Sequence, residues 1–207
     1  MSKAQIVFKS LGITTLVVSS MLAGSSPIKR SPLKATGEII GIVENASGRV
    51  ADAVVSLSGV TGNFNPPSAP VRMDQKDKLF APHVLAVMKG TTVRFDNSDP
   101  FFHNVFSSSR VKTFNVSQEK RGDTSSVVFD KIGLVPIRCH IHANMKAYIV
   151  VLANPYFDVT NEKGQFRIND VPAGSYTIKV WSEKGTSTQT VDVKAGDRAK
   201  VIFKVSE

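Results

Sequence analysis

From Gly37 to its end, the 207-residue chain nowhere shows the 3.6-residue apolar period of an amphipathic helix. Short runs of β-branched and aromatic residues recur instead. They fall at residues 38–43, 53–57, 83–88, 91–95, 126–129, 135–139, 147–152, 165–168, 176–181, 190–193 and 200–205. Turn formers separate them: Gly90, 97–100, Gly133, 162–164, 172–174 and 195–197. Many short strands at this spacing predict an all-β chain of sandwiches or barrels. Strands do not alternate with helices and no Gly-rich phosphate loop is present, which excludes a nucleotide-binding α/β fold. Hydrophobic residues make up 42% of the chain, enough to build a folded core over one or two domains.

The first residues read differently. Lys3 and Lys9 give a positive start, 11–22 is largely apolar, and Ala23, Gly24, Ser25 and Ser26 are small. That is the layout of a secretory signal, with an apolar stretch too short to span a bilayer comfortably. Residues 1–25 are therefore expected to be a signal peptide. A lipoprotein box would need Cys where Ser25 stands. Residues 26–36, rich in Pro, Ser and Lys, read as a flexible leader.

Lys plus Arg outnumber Asp plus Glu by 26 to 17, giving a net charge of +9. The cations are scattered, without a dense basic run, a zinc-finger spacing or an aromatic-basic RNA motif. A basic surface is expected, and no nucleic-acid partner.

The chemistry is concentrated in few residues. Cys139 is the single cysteine, so no intramolecular disulfide can form, and a lone thiol in an exported protein needs a reason to persist. The stretch 135–147 (VPIRCHIHANMKA) carries Cys139, His142 and Met145 in Cys-x2-His-x2-Met spacing just past a strand. Upstream, His103 follows the turn Asn97-Ser98-Asp99-Pro100, far enough back for intervening strands to return the chain to the same end. Two imidazoles, a thiolate and a thioether are the donor set of a blue-copper centre. The soft sulfurs suit Cu(I) and the imidazoles suit both oxidation states. A metal would also keep the thiol deprotonated. Zinc is the chemical rival, but it rarely takes a Met ligand, and Cys with two His would leave a fourth position open. Four histidines in all are too few for the paired His-x-His units of a multicopper cluster. His140 and His83 are accordingly expected to be packed or solvated residues.

On these residues the region 71–153 resembles a cupredoxin of the plastocyanin/azurin superfamily, and its short ligand loop is similar to that of amicyanin. Segments 80–87, 90–99 and 103–107 also resemble copper proteins of the methylamine-utilisation or plastocyanin-like kind. The resemblance implies a Greek-key β-sandwich with one type 1 copper per chain, held by His103, Cys139, His142 and Met145. It implies that Asn104 ties the two ligand segments together, with its backbone N–H near the Cys sulfur. It also implies that His142 is the electron port, with Phe101, Phe102, Ile141 and Ala143 available for an apolar patch around it.

The texture changes after Ala153. The pieces TNEKGQF (160–166), VPAGSY (171–176) and Val180-Trp181 resemble a small carboxypeptidase-regulatory-like, or transthyretin-like, β-sandwich. Residues 37–59 resemble its first two strands. The expected division is 37–64 as the first strands of this second sandwich (or else the start of the cupredoxin), 65–153 as the cupredoxin and 154–207 as the rest of the second sandwich. On the first alternative, the cupredoxin is inserted into the other module at a loop.

The expected function is that of an exported, periplasmic electron carrier that is not an enzyme. Its redox partner is expected to be a protein, an acidic one fitting the basic surface, and no membrane span should remain after signal cleavage. Copper storage or delivery, and an envelope scaffold with a structural metal, are the competing readings.

Overall fold

The computed structural model describes residues 35–206. The expected signal segment, and all of the leader but its last two residues, lie outside the described residues. Among the described residues no helix is long and apolar enough to cross a membrane.

The described chain is all-β. In order the strands are β1 (Thr36–Asn45), β2 (Gly48–Arg49), β3 (Val54–Ser58), β4 (Val71–Lys76), β5 (Leu79–Ala81), β6 (Val84–Met88), β7 (Thr91–Asn97), β8 (His103–Ser108), β9 (Thr113–Glu119), β10 (Thr124–Phe129), β11 (Gly133–Arg138), β12 (Lys146–Leu152), β13 (Phe157–Val159), β14 (Gln165–Pro172), β15 (Gly174–Ser182), β16 (Gly185–Val193) and β17 (Arg198–Lys204). They form four sheets, ordered β14-β1-β17 (with β2 on β1), β13-β3-β15-β16, β10-β7-β4-β5 and β6-β12-β11-β8-β9.

The first two sheets share one apolar core, which includes Ile39, Val43, Val55, Ile168, Ile178, Val180 and Phe203. They make a flanking sandwich. The other two share a core with Met73, Phe95, Val105, Phe129, Ile137 and Ile149, making a central sandwich. Strands β1 and β3 thus hydrogen-bond with strands that come after β12. The chain leaves the flanking sandwich after β3, builds the central one, and returns at β13.

Alternation explains most of this. In β14, Phe166 and Ile168 point inward between exposed neighbours, and β17 does the same with Val201 and Phe203. Strand β12 (KAYIVVL) breaks the pattern with a continuous apolar run. Its Ala147, Ile149 and Val151 enter the central core. Its Val150 joins Val54 and Val84 in a separate cluster, against which Tyr148, Leu152 and Trp181 pack. This strand is buried on both faces because the flanking sandwich covers its outer side.

Strands β2, β4, β5, β8, β9 and β13 are absent from the sequence expectation. Strand β4 (VRMDQK) looks like a polar loop, yet Asp74 and Gln75 are buried in it. The β4–β5 hairpin turns through Asp77 and Lys78, both at positive φ (55° and 58°). That is the pattern of a tight hairpin turn normally announced by Asn-Gly or Asp-Gly, so its sequence signal is missing here. At Gly41 a side chain is excluded: a Cβ would sit 2.1 Å from the carbonyl oxygen of Val201 on β17.

Candidate metal centre

Strand pairing builds the site at one end of the central sandwich. In the antiparallel β11–β12 pair Arg138 lies opposite Lys146, so residues 139–145 form the loop of that hairpin. Arg138 also pairs with Phe106 of β8, which brings the start of β8, and hence His103, beside the loop. Backbone bonds shape the loop internally. The Cys139 N–H donates to the Met145 carbonyl (3.3 Å), and the Met145 N–H donates to the His142 carbonyl (3.0 Å).

The ligand atoms of His103, Cys139 and His142 all lie within 4.8 Å of one another. The Nδ1 atoms of the two histidines face each other at 3.1 Å. Two metal–nitrogen bonds of about 2.0 Å at a tetrahedral angle would set their nitrogens roughly 3.3 Å apart, so this spacing fits a shared ion. Cys139 and Met145 are buried in the same core cluster. His103 is completely buried, whereas His142 is only half-buried and is the member of the group that reaches the surface. The donor set of two imidazoles and a thiol, with the thioether of Met145 in the same loop, fits copper by its softness. Burial, and to a lesser extent the charges of His103 and Lys78, hold the His142 pKa below the ordinary histidine value, against the opposing pull of Asp99. A neutral imidazole is the form that binds a metal.

The neighbours of the site are hydrogen-bonded in turn. Asn104 Oδ1 accepts the His140 N–H (2.8 Å), and Asn104 Nδ2 donates to Asn115 Oδ1 (3.0 Å). Asn104 therefore links β8, β9 and the ligand loop. The N–H that reaches the Cys139 sulfur is that of Ile141, at 3.4 Å. His103 Nε2 lies 2.8 Å from Asp99 Oδ2. Burial pushes the Asp99 pKa up, but the Lys78 N–H, the His103 ring and the Asp77 N–H outweigh it. The net position is below the ordinary carboxylate value.

His140 and His83 stay outside this group. The His140 ring stacks on Phe106 with centroids 3.7 Å apart. His83 is more than a packed residue: its Nε2 lies 2.5 Å from Glu183 Oε1, joining the central sandwich to the flanking one. Lys146 and Tyr148 donate to the other oxygen of Glu183, each at 2.8 Å. Phe101, Phe102 and Ile141 are all large apolar residues left exposed, on segments that adjoin His103 or His142. The Lys78 ammonium sits 5.1 Å above the Phe101 ring.

Sequence reasoning named His103, Cys139, His142, Met145 and Asn104 but took Asp99 for a turn former. An acid four residues before a histidine is too common a pattern to single it out. It also missed the Glu183 contacts, which span 35 to 100 residues of sequence.

Residues 153–201 match the family model for polysaccharide lyase family 4, domain II. No curated protein matches the sequence. Among solved structures, the chain is similar to a Cu-containing nitrite reductase (NirK) from Thermus scotoductus SA-01, at 27% identity and a TM-score of 0.40. That match covers 45% of this chain and 24% of the reductase. It is also similar to a purple cupredoxin from Nitrosopumilus maritimus, at 22% identity and a TM-score of 0.37, over 40% of this chain and 99% of that one. A reduced amicyanin variant matches at 20% identity with a TM-score of 0.39, over 47% of this chain and 98% of that one.

Proposed function

We propose that the central sandwich is a cupredoxin holding one type 1 copper, and that the protein carries electrons by Cu(I)/Cu(II) cycling. The observation that carries this reading is that the ligand atoms of His103, Cys139 and His142 lie within 4.8 Å of one another at one end of the central sandwich, with the two histidine Nδ1 atoms 3.1 Å apart. His103, Cys139 and His142 would hold the ion, with Met145 as a fourth, weaker donor. When bound, copper would supply a one-electron couple at a His2Cys donor set.

The protein's own part is positional. The β11–β12 hairpin holds three of the ligands, and β8 brings the fourth from the neighbouring strand. Burial of His103, Cys139 and Met145 keeps water from the metal. His142 offers the short route to the surface, among Phe101, Phe102 and Ile141, where a redox partner would dock. Lys78 beside that patch, and the excess of Lys and Arg over Asp and Glu, favour an acidic partner. A filled four-ligand set leaves no position for a substrate, which supports a carrier over an enzyme. Residues 1–25 read as the export signal and the periplasm as the destination. The flanking sandwich reads as a carboxypeptidase-regulatory-like module into which the cupredoxin is inserted.

The test is a Cu(II) titration of the purified mature chain, followed in the visible range. An intense thiolate-to-copper charge-transfer band is expected. It should vanish in Cys139→Ser and shift in Met145→Ala. A colourless protein, or one that takes up zinc and not copper, overturns the reading. A reversible midpoint potential in voltammetry separates a carrier from a copper store.

A further inference from the structure

Resting on the copper reading, we propose that Asp99 is a positioning residue of this centre. Its carboxylate fixes the His103 ring so that Nδ1 is the free donor, and its buried negative charge biases bound copper toward Cu(II).

The two nitrogens of His103 meet different partners. Nδ1 faces His142 Nδ1 at 3.1 Å, inside the ligand group. Nε2 faces Asp99 Oδ2 at 2.8 Å. A carboxylate can only accept, so the ring proton belongs on Nε2 and the lone pair on Nδ1. The choice of tautomer is made before any metal arrives.

Asp99 is itself held in place. Its Oδ1 accepts the Asp77 N–H (2.7 Å), and its Oδ2 accepts the Lys78 N–H (2.9 Å) as well as the ring. Its own N–H donates to Asn97 Oδ1 (2.9 Å). Its side chain is 5% exposed, and that of His103 is fully buried. Three donors converge on two oxygens, which suits an anion and no neutral side chain. An amide would turn N–H groups toward at least one of those donors. The β4–β5 turn, with two non-glycine residues at positive φ, is held against the same carboxylate. The carboxylate lies one ring's width from the ligand nitrogen. In these dry surroundings its charge favours the more positive oxidation state of a metal on the far side of the ring.

The experiment compares the full mature chain with Asp99→Asn and with Ser98→Ala. Ser98→Ala removes a hydroxyl bonded to Asp74 in the same loop without touching the ring. Asp99→Asn should weaken Cu(II) relative to Cu(I) by about tenfold, which for one electron raises the midpoint potential by about 59 mV. Ser98→Ala should leave it in place. In the metal-free protein, long-range ¹H–¹⁵N correlation should show His103 protonated at Nε2, with that preference lost in Asp99→Asn. An unchanged potential in Asp99→Asn, or an equal shift in Ser98→Ala, overturns the electrostatic role. An Nδ1-protonated His103 in the wild-type metal-free protein overturns the positioning role, even if Asp99→Asn does not fold. If the wild-type chain gives no copper band, the electron-transfer reading falls instead, and the tautomer alone decides whether Asp99 positions the ring.

Discussion

The two sandwiches are made from the same kind of strand but spend their interiors differently. The flanking core is apolar throughout, and its buried polar residues (Asn154, Thr160 and Ser182) stand at strand ends and turns. Thr160 is representative: its hydroxyl accepts the Ala53 N–H and donates to the Val50 carbonyl, closing a loop. The central sandwich buries Asp74, Gln75, Thr91, Asp96, Asn97, Asp99, His103, Asn104 and Ser107. They come from β4, from β7 with the loop that follows it, and from β8, so they cluster by chain segment as they would at a built site. Buried polar and charged groups cost stability unless each is hydrogen-bonded. Most of these are. Gln75 Oε1 and Thr91 Oγ1 are the buried side-chain atoms with no partner among the described residues. One sandwich is organised for burial, the other to hold a donor set in a dry place.

That contrast predicts separable damage. Phe203→Ala empties the middle of the flanking core and should cost about 3–5 kcal/mol, read by denaturant unfolding. The copper spectrum of the protein that remains folded should not change. A lost charge-transfer band at full folding would show that the two sandwiches are not independent. Asn104→Ala acts on the other side of the contrast. It removes the acceptor of the His140 N–H and the donor to Asn115, and about 1–3 kcal/mol of stability should go with them. Here the absorption band should shift as well, because the ligand loop loses its tie to β8.

The third effect lies where the sandwiches meet, and its pH dependence is confined to acid pH. Burial raises the Glu183 pKa, but hydrogen bonds from Lys146, His83 and Tyr148 more than reverse this and bring it down from 4.5 to about 2. A carboxylate with a depressed folded-state pKa stabilises the fold above its unfolded value, and loses that contribution as pH falls through the folded one. The junction should therefore weaken between about pH 4.5 and 2, seen as a falling unfolding midpoint. Glu183→Gln should be less stable at neutral pH and flatter across that window. An equally steep profile in the variant would assign the pH dependence to other carboxylates, such as Asp96 beside Arg72 and Arg94.

Much of the candidate site could be read from the chain because most of its residues are local. Cys139, His142 and Met145 lie in one hairpin loop, and loop spacing survives in a linear sequence. His103 could be added because it follows a turn, far enough back for intervening strands to return the chain to the same end. Asn104 could be added only through the family resemblance. Asp99 could not be read, because its role depends on a turn at Asp77 and Lys78 that lies twenty-odd residues earlier and reaches it only across the β4–β7 pairing. Strand β4 was invisible for a related reason: Asp74 and Gln75 look solvated until the fold closes over them.

Short β-branched and aromatic runs without a helical period determined that the described chain is all-β, since such patterning is a property of each segment by itself. The soft donors Cys139 and Met145 beside His142 likewise limited the metal chemistry before any fold was considered. Tertiary structure decided the rest. It chose which strands pair, so that β1 and β3 wait for β14 and β15 across the whole central sandwich. It covered both faces of β12, and it aimed one nitrogen of His103 at Asp99 and the other at His142. Pairing and ring orientation depend on groups distant in sequence, and only closure of the fold brings those groups within hydrogen-bonding range.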